Sequence, residues 1–231
     1  MNWAIRSNEI ELMDDLEIGG DKLISTLKEI DRINQLLGGF NSLIKRVEHY
    51  QSTTNSEVAI SDLGCGSGWL LKQLESRLGK DSRLIGIDAN ASVVNYARSG
   101  YEGSISFKQI DVFDYIQSLD SSKLNIVLSS LFCHHFSNSE LTRMIELLRT
   151  KNAVFIINDL HRHWLALNLF KLLGYAFNLG AMARTDGAIS IRRGFKRIDW
   201  EQILSNVDSR LYKIEWKWAF RYQIEIANSW T

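Results

Sequence analysis

The spacing of hydrophobic residues changes along the chain, between residues 50 and 58. In residues 9–50 apolar positions recur every three or four residues, which predicts helices, and Gly38–Gly39 indicates a break between two of them. From residue 58 onward, short apolar runs alternate with stretches at helical spacing. This alternation of strands and helices is typical of a parallel sheet covered by helices on both faces.

The individual elements follow from this pattern and from capping residues. A helix closed by Gly79, a short helix capped by Ser92, a helix after a Ser137/Glu140 capping box and a helix capped near Asp199 are predicted. The predicted strands cover 58–63, 84–87, 104–110, 125–130 and 153–157, with two more in 211–226 that are joined by a turn near Trp218–Ala219.

Residues 164–183 are almost continuously apolar, and their length is close to that of a membrane span. Three structures are open: a membrane span, a buried helical hairpin over the sheet, and a helical lid that also contacts a lipophilic substrate. Asn168, Lys171 and Asn178 interrupt the apolar run, which favours the hairpin or lid over the span.

Length and composition favour one domain of 231 residues. We divide it into a helical N-terminal cap (1–55), a core (56–160), a lid insert (161–198), and a final helix with a C-terminal strand pair (199–231). Lys+Arg and Asp+Glu number 27 each, which argues against a nucleic-acid partner. The sequence contains two cysteines and begins without a signal-peptide pattern, so we expect a cytoplasmic protein.

Three glycines crowd the stretch 61-SDLGCGSGWL-70. A dinucleotide fingerprint, G-x-G-x-x-G, would need glycine where Trp69 stands. Asp62, just before the loop, would repel a pyrophosphate but suits a ligand with an ammonium group. Glycine lets the backbone pass close beneath a compact ligand.

Two further carboxylates end predicted strands. Asp88, in LIGIDAN, can accept hydrogen bonds from ribose hydroxyls. Asp111, in QIDVFDY, can accept from an exocyclic adenine amine, and Val112 can flank the ring. Ammonium, ribose and adenine in this order describe S-adenosylmethionine, with S-adenosylhomocysteine as the product of methyl transfer.

On these motifs the chain resembles the class I S-adenosylmethionine-dependent methyltransferases, through DLGCGSG, GIDAN, QIDVFDY and NIVLSSLFCHHF. The resemblance implies an α/β fold with a Rossmann-like, seven-stranded, mostly parallel sheet, helices on both faces, an N-terminal helical cap and a helical lid after the fifth strand. The cofactor contacts that it implies are Asp62, Leu63, Gly64, Cys65, Gly66, Gly68, Asp88, Ala89, Asp111, Val112 and Ser129.

A second resemblance narrows the substrate. The segments ELMDD, LLGGF, NDLHRHW and SIRRGF look like small-molecule methyltransferases of polyketide, alkylresorcinol or quinone pathways. Leu16 and Trp164 stand where members often carry proline, so the adjoining loops differ from the pattern. The resemblance implies that Met13, Asp14 and Asp15 close over the cofactor.

Histidines cluster after the fourth and fifth strands, at the edge where open α/β sheets bind ligands. His134, His135 and His161 are candidate general bases, and His161 could be oriented by Asp159. Their alternative role is loop packing or helix capping. No metal is expected, because no acidic cluster accompanies them. The candidate acceptor contacts are Asp159, Arg162, His163 and Trp164.

The sequence therefore predicts methyl transfer from S-adenosylmethionine to a small aromatic or lipophilic acceptor, with a phenolic hydroxyl favoured. C-methylation of a quinol-like ring is the near alternative. A protein or nucleic-acid methyltransferase and a non-catalytic cofactor-binding module also stay open. No nucleic-acid partner and no membrane span are expected, and the oligomeric state is open.

Overall fold

The computed structural model describes residues 2–54, 58–79 and 82–228. Its centre is a sheet of seven strands in the order β3-β2-β1-β4-β5-β7-β6. Strands β1 to β5 run parallel, and β7 lies antiparallel between β5 and β6. The strands are Val58–Leu63 (β1), Arg83–Asp88 (β2), Ser106–Gln109 (β3), Leu124–Ser130 (β4), Ala153–Leu160 (β5), Tyr212–Lys217 (β6) and Arg221–Ile226 (β7). This confirms the predicted fold class.

Helices cover both faces of the sheet. They are Gly20–Leu36 (α1), Asn41–Thr53 (α2), Trp69–Leu78 (α3), Ala91–Arg98 (α4), Val112–Gln117 (α5), Asn138–Arg149 (α6), Trp164–Ala176 (α7), Ala181–Arg193 (α8) and Arg197–Ile203 (α9). Apolar residues of α5, α6 and α9 form one core layer, and those of α2, α3 and α4 form the other. The central strands β4 and β5 are buried almost throughout because they are covered on both sides.

The strand order places a ligand crevice at one point of the sheet. After β3 the chain returns past β1 and forms β4 on the other side of β1. The connections that follow β1 and β4 therefore run in opposite directions along the sheet. In register, Asp62 of β1 lies beside Leu128 of β4, and Leu63 lies beside Ser129. Ligands of open α/β sheets bind beyond the carboxyl ends of the strands at this kind of switch point.

Local structure differs from the sequence-based prediction at several helix ends. The side chain of Asn90, not Ser92, caps α4 by accepting from the Ser92 and Val93 amides. Asp111 caps α5, a helix that the sequence analysis missed because it spans only six residues. Asp199 lies in the first turn of α9 and closes its capping box, so this helix begins before the predicted cap.

The N-terminal region and the lid hold the remaining elements. Residues 9–19 form only a short 3-10 helix, Leu12–Asp14, rather than the start of a long helix. The apolar stretch after β5 folds into α7, and α8 follows as the second arm of a helical hairpin. No helix within the described ranges has the length and apolarity needed to cross a membrane.

Candidate functional site

A cavity of about 960 Å³ opens at the carboxyl ends of the strands. At one end it is lined by the glycine loop after β1 and by the residues that follow β2. At the other end lie apolar side chains of α7 and α8, among them Leu169, Phe170, Leu173 and Ile191. The N-terminal segment, defined as residues 2–19, contributes Glu11 and Asp14 to the wall. The glycine loop and the two helices after β5 therefore face one space.

The glycine loop requires its glycines for backbone conformation and for close approach. Gly64, Gly66 and Gly68 all have positive φ, at 66°, 52° and 73°. An added Cβ at Gly64 would lie 2.3 Å from the Phe132 ring, which also lines the cavity. Gly64, Cys65 and Gly66 face the cavity.

Two predicted loop contacts support the cavity without lining it. Leu63 packs into the core with no exposed surface. Gly68 begins α3, and an added Cβ there would lie 2.4 Å from the Phe107 ring. The buried Leu63 side chain and the missing Cβ of Gly68 therefore shape the loop. Only the backbone atoms of these two residues are left to contact a ligand.

Asp62 is a buried carboxylate in need of a cation. Its Oδ1 has no hydrogen-bond partner among the described residues, and it lines the cavity. Burial, reinforced by the charge of Asp88, raises the pKa of Asp62 to about 8. A ligand ammonium would supply both the missing charge and the missing hydrogen bond, so this position fits the amino group of S-adenosylmethionine.

Asp88 lies at the opposite side of the loop. It accepts hydrogen bonds from the Gly66 amide at 3.3 Å and the Asn90 amide at 3.0 Å. Burial raises its pKa, and those amides act against the rise. Both of its oxygens are thereby oriented at the cavity edge, which fits a ribose partner. The neighbouring Ala89 also lines the cavity.

The predicted adenine contacts differ in their availability. Val112 is buried and lines the cavity. Asp111 also lines it, but its Oδ1 already accepts from the Phe113 amide at 2.8 Å as the cap of α5. Another predicted cofactor contact, Ser129, which was not assigned to the adenine, does not line the cavity, because its hydroxyl lies 3.2 Å from Cys133 Sγ in the core, whereas the next residue, Ser130, does.

His134 is held between two carboxylates. Its Nδ1 lies 2.7 Å from Asp159 Oδ1, and its Nε2 lies 3.5 Å from Glu11 Oε1. Burial would lower the pKa of His134, but the two carboxylates outweigh burial and raise it to about 9. His134 is therefore an imidazolium at neutral pH, and a protonated ring cannot accept a proton.

His135, the next residue, pairs with a different acid. Its Nδ1 lies 2.5 Å from Asp14 Oδ1, and Arg193 binds the other oxygen of Asp14. Partial burial raises the pKa of Asp14, but these hydrogen bonds outweigh burial and hold it well below its usual range. Asp14 is thus ionised and can accept a hydrogen bond from Nδ1 of His135, whose Nε2 is not engaged by Asp14.

Two arginines fix the turn that carries both histidines. Arg6 donates to the carbonyls of His134 and Phe136 at 2.9 Å each. Arg193 donates to the carbonyls of His134 at 3.1 Å and His135 at 2.8 Å. Arg193 also pairs with Asp14 and so joins the turn to the N-terminal segment. Asp186 accepts hydrogen bonds from the Leu12 and Met13 amides of that segment.

The structure does not form the expected Asp159–His161 pair, because the Asp159 carboxylate binds His134. His161 accepts from the Trp216 indole at 3.2 Å and lies outside the cavity, and burial lowers its pKa to about 4. His163 caps α7 by accepting from the Leu165 amide. Neither of these histidines lines the cavity.

The other predicted acceptor contacts also lie elsewhere. Arg162 is 1% exposed and holds loops together, bonding Asp199 at 2.9 Å and the Gly194 carbonyl at 2.6 Å. Trp164 is 54% exposed on the outer side of α7. Asp159 contacts the site only through His134, because it does not line the cavity.

One group of side chains could in principle hold a metal ion. Ligand atoms of Glu11, His134 and His135 lie within 4.8 Å of one another in the described part of the chain. An acidic side chain therefore does accompany the histidines, contrary to the expectation from sequence. A metal here would have to displace the His134 proton, which Asp159 and Glu11 stabilise.

Arg6, Glu11 and Arg221, which line or support the cavity, could not be singled out from the sequence. Glu11 stands in the quoted ELMDD segment, whose resemblance was the available signal. Arg6 and Arg221 carry no local pattern, because their roles depend on contacts 128 or more residues away.

Comparison with known proteins identifies the class. Residues 54–189, more than half of the chain, match the methyltransferase domain family. This chain belongs to that family. A curated relative is protein 235L of Invertebrate iridescent virus 6, named as a candidate methyltransferase, which is 32% identical over 127 residues. The match covers 47% of this chain and 45% of the relative, so less than half of that protein is represented.

Solved structures share the fold over nearly the whole chain. The plantazolicin methyltransferase BpumL, in complex with a monoazolic desmethylPZN analog and SAH, superposes with a TM-score of 0.64 at 15% identity, covering 94% of this chain and 99% of that one. Magnesium protoporphyrin IX methyltransferase from Synechocystis PCC 6803, with bound SAM, gives 0.54 at 15% identity, covering 94% and 89%. Together with the family match, these structures confirm the predicted methyltransferase fold.

Proposed function

We propose that this protein transfers the methyl group of S-adenosylmethionine to a hydroxyl of a small aromatic or otherwise apolar acceptor. One observation carries the proposal: a single cavity joins the carboxylates Asp62 and Asp88 to the apolar walls of α7 and α8. The cofactor, when bound, supplies an electrophilic methyl group on a sulfonium. The shared cavity lets an acceptor approach that group without crossing solvent.

Charged residues bind the cofactor, and apolar residues surround the acceptor. Asp62 receives the ammonium group and Asp88 the ribose, which orients the cofactor along the loop. The apolar side chains Leu169, Phe170 and Leu173 surround the body of the acceptor and exclude water. A flat or chain-like apolar acceptor suits these walls better than a charged macromolecule.

His135 is the proposed general base. The acceptor hydroxyl gives its proton to Nε2 of His135 while the oxygen forms a bond to the methyl carbon. The carbon–sulfur bond breaks, and its electron pair stays on sulfur. Asp14 stabilises the imidazolium that results, and His134 holds the neighbouring backbone in place. When protonated, His135 acts on the charge of Asp88, and this proximity supports a base near the cofactor end.

The test is a methyl-transfer assay with a labelled methyl donor and a panel of phenols with alkyl substituents of increasing length. We expect transfer that improves with alkyl length, and a methyl ether as the product by NMR. A carbon–methyl product would replace hydroxyl methylation by ring methylation. Absence of transfer to every apolar phenol, with transfer to peptides or nucleic acid, would contradict the proposal.

A further inference from the structure

Arg221, the first residue of β7, is a buried cation within the cavity. It is 4% exposed and lines the cavity beside Asn34 and Phe40. An added Cβ at Gly39 would lie 2.8 to 2.9 Å from three guanidinium atoms, so the group rests on the Gly39 backbone. Glycine at position 39 therefore makes room for the guanidinium.

The guanidinium has few partners within the protein. Nη2 donates to Asn34 Oδ1 at 2.8 Å, and Nε has no hydrogen-bond partner in the described residues. A guanidinium carries five N–H donors in a planar fork that matches a carboxylate. Most of that capacity is unused by the described residues.

The charge of Arg221 is also unbalanced. None of the ion pairs found among the described residues includes it. Residues at alternate positions of a strand share a face, so Gln223 and Glu225 lie on the Arg221 face of β7. Gln223 is neutral, and the Glu225 carboxylate is bound by Arg46 and Tyr50. Asp159, whose charge also acts on Arg221, is bound by His134.

We propose that Arg221 and Asn34 form a binding site for a small anionic group, of the carboxylate class, on a ligand in the cavity. Burying a cation without a partner is strongly unfavourable, and a ligand anion would restore the balance. Under the proposed function, two ligands could carry this group: the cofactor, in its methionine carboxylate, or the acceptor, as an acid substituent on its apolar body.

Binding constants separate the two sources. Calorimetry compares wild type and Arg221→Gln with S-adenosylhomocysteine and with its decarboxylated analogue. If the cofactor supplies the anion, Arg221→Gln weakens S-adenosylhomocysteine binding by about thirtyfold or more and leaves binding of the analogue unchanged. This pattern would come from the loss of one specific pair, not from general damage to the cavity.

If the acceptor supplies the anion, both proteins bind S-adenosylhomocysteine equally. With that ligand present, wild type then binds 4-octyloxybenzoate more tightly than 4-octyloxybenzyl alcohol, and Arg221→Gln loses the preference. These readouts need no methyl transfer, so they stand apart from the test of the proposed function.

A second variant guards against a folding defect in Arg221→Gln. Asn34→Asp places a carboxylate on the guanidinium from within the protein. We expect a raised Tm and weakened binding of whichever carboxylate ligand wild type prefers. If Arg221→Gln and Asn34→Asp bind all four ligands within about twofold of wild type, or wild type shows no preference for a carboxylate, the site does not exist.

Discussion

The Nδ1 atom of His134 lies 2.7 Å from Oδ1 of Asp159, and both side chains are buried. This contact joins the turn after β4 to the end of β5, the two places where the sequence concentrates its histidines. It also stabilises the charged form of His134.

The first prediction concerns pH and stability. The folded protein raises the pKa of His134 from 6.5 to about 9, so its contribution to stability is fully present below pH 6.5 and lost as pH rises through about 9. We expect Tm to fall across this window in wild type and to fall less in His134→Gln. Thermal denaturation followed by circular dichroism measures it. His49→Gln, an exposed position on α2, is the control and should retain the wild-type fall.

A second prediction addresses the base. His135→Gln should lower kcat by about 10²–10⁴, the usual worth of general-base catalysis, with binding of S-adenosylhomocysteine unchanged. His163→Gln is the matched control, because this histidine caps α7 outside the cavity. Single-turnover rates at saturating acceptor provide the measurement. A loss of less than about tenfold in His135→Gln would assign the proton transfer to another group.

The Asp62 carboxylate should lower the free energy of unfolding and should be necessary for cofactor binding. Burial raises its pKa to about 8, so the unfolded chain ionises first and stability falls as pH rises from its ordinary pKa of 3.8 toward 8. We expect Asp62→Asn to be more stable than wild type, increasingly so toward pH 8, yet to bind S-adenosylhomocysteine far more weakly. Denaturation and calorimetry on the same samples test both halves, and unaltered affinity would contradict the ammonium assignment.

Two glycines with the same φ allow the cost of backbone strain to be measured separately from the cost of a steric clash. Gly64 and Gly100 both have φ of 66°, but an added Cβ meets the Phe132 ring at Gly64 and nothing within 4 Å at Gly100. Gly100→Ala should cost about 1 kcal/mol of unfolding free energy through backbone strain. Gly64→Ala should cost a further 1–3 kcal/mol or so and impair cofactor binding. Urea denaturation measures both losses of unfolding free energy. Equal losses would mean that the Phe132 ring moves to make room for the added Cβ.

Activity should withstand removal of divalent metals. A metal bound by Glu11, His134 and His135 would have to displace the His134 proton, which Asp159 and Glu11 stabilise. Dialysis against EDTA should leave the rate of methyl transfer unchanged, and added Zn²⁺ or Mn²⁺ should not raise it. A rate that falls on dialysis and returns with one ion would assign that ion to the three side chains.

The positions of the proposed cofactor contacts could be predicted because their signals are local. Asp62, Gly64 and Asp88 stand next to strand ends, and strand ends can be located from hydrophobic spacing alone. The parallel arrangement then brings those ends together. Asp111 was predicted less completely. It lies at the cavity edge as expected, but one of its oxygens caps α5.

The acceptor half could not be derived in this way. His134 and His161 look equivalent in sequence, each following a strand and each near Asp159. Their difference arises from Glu11 and from the antiparallel β7, which directs the turn at Phe220 against His161. Such contacts join residues far apart in the chain, and no spacing rule encodes them.

The N-terminal segment gives the site a further property. Glu11 approaches His134, and Asp14 orients His135, from a stretch that also forms part of the cavity wall. Any opening that lifts this stretch away takes both carboxylates with it. Under the proposed function, proton transfer to His135 would then be confined to the closed form, which would couple the chemistry to enclosure and protect the methyl group from loss to water.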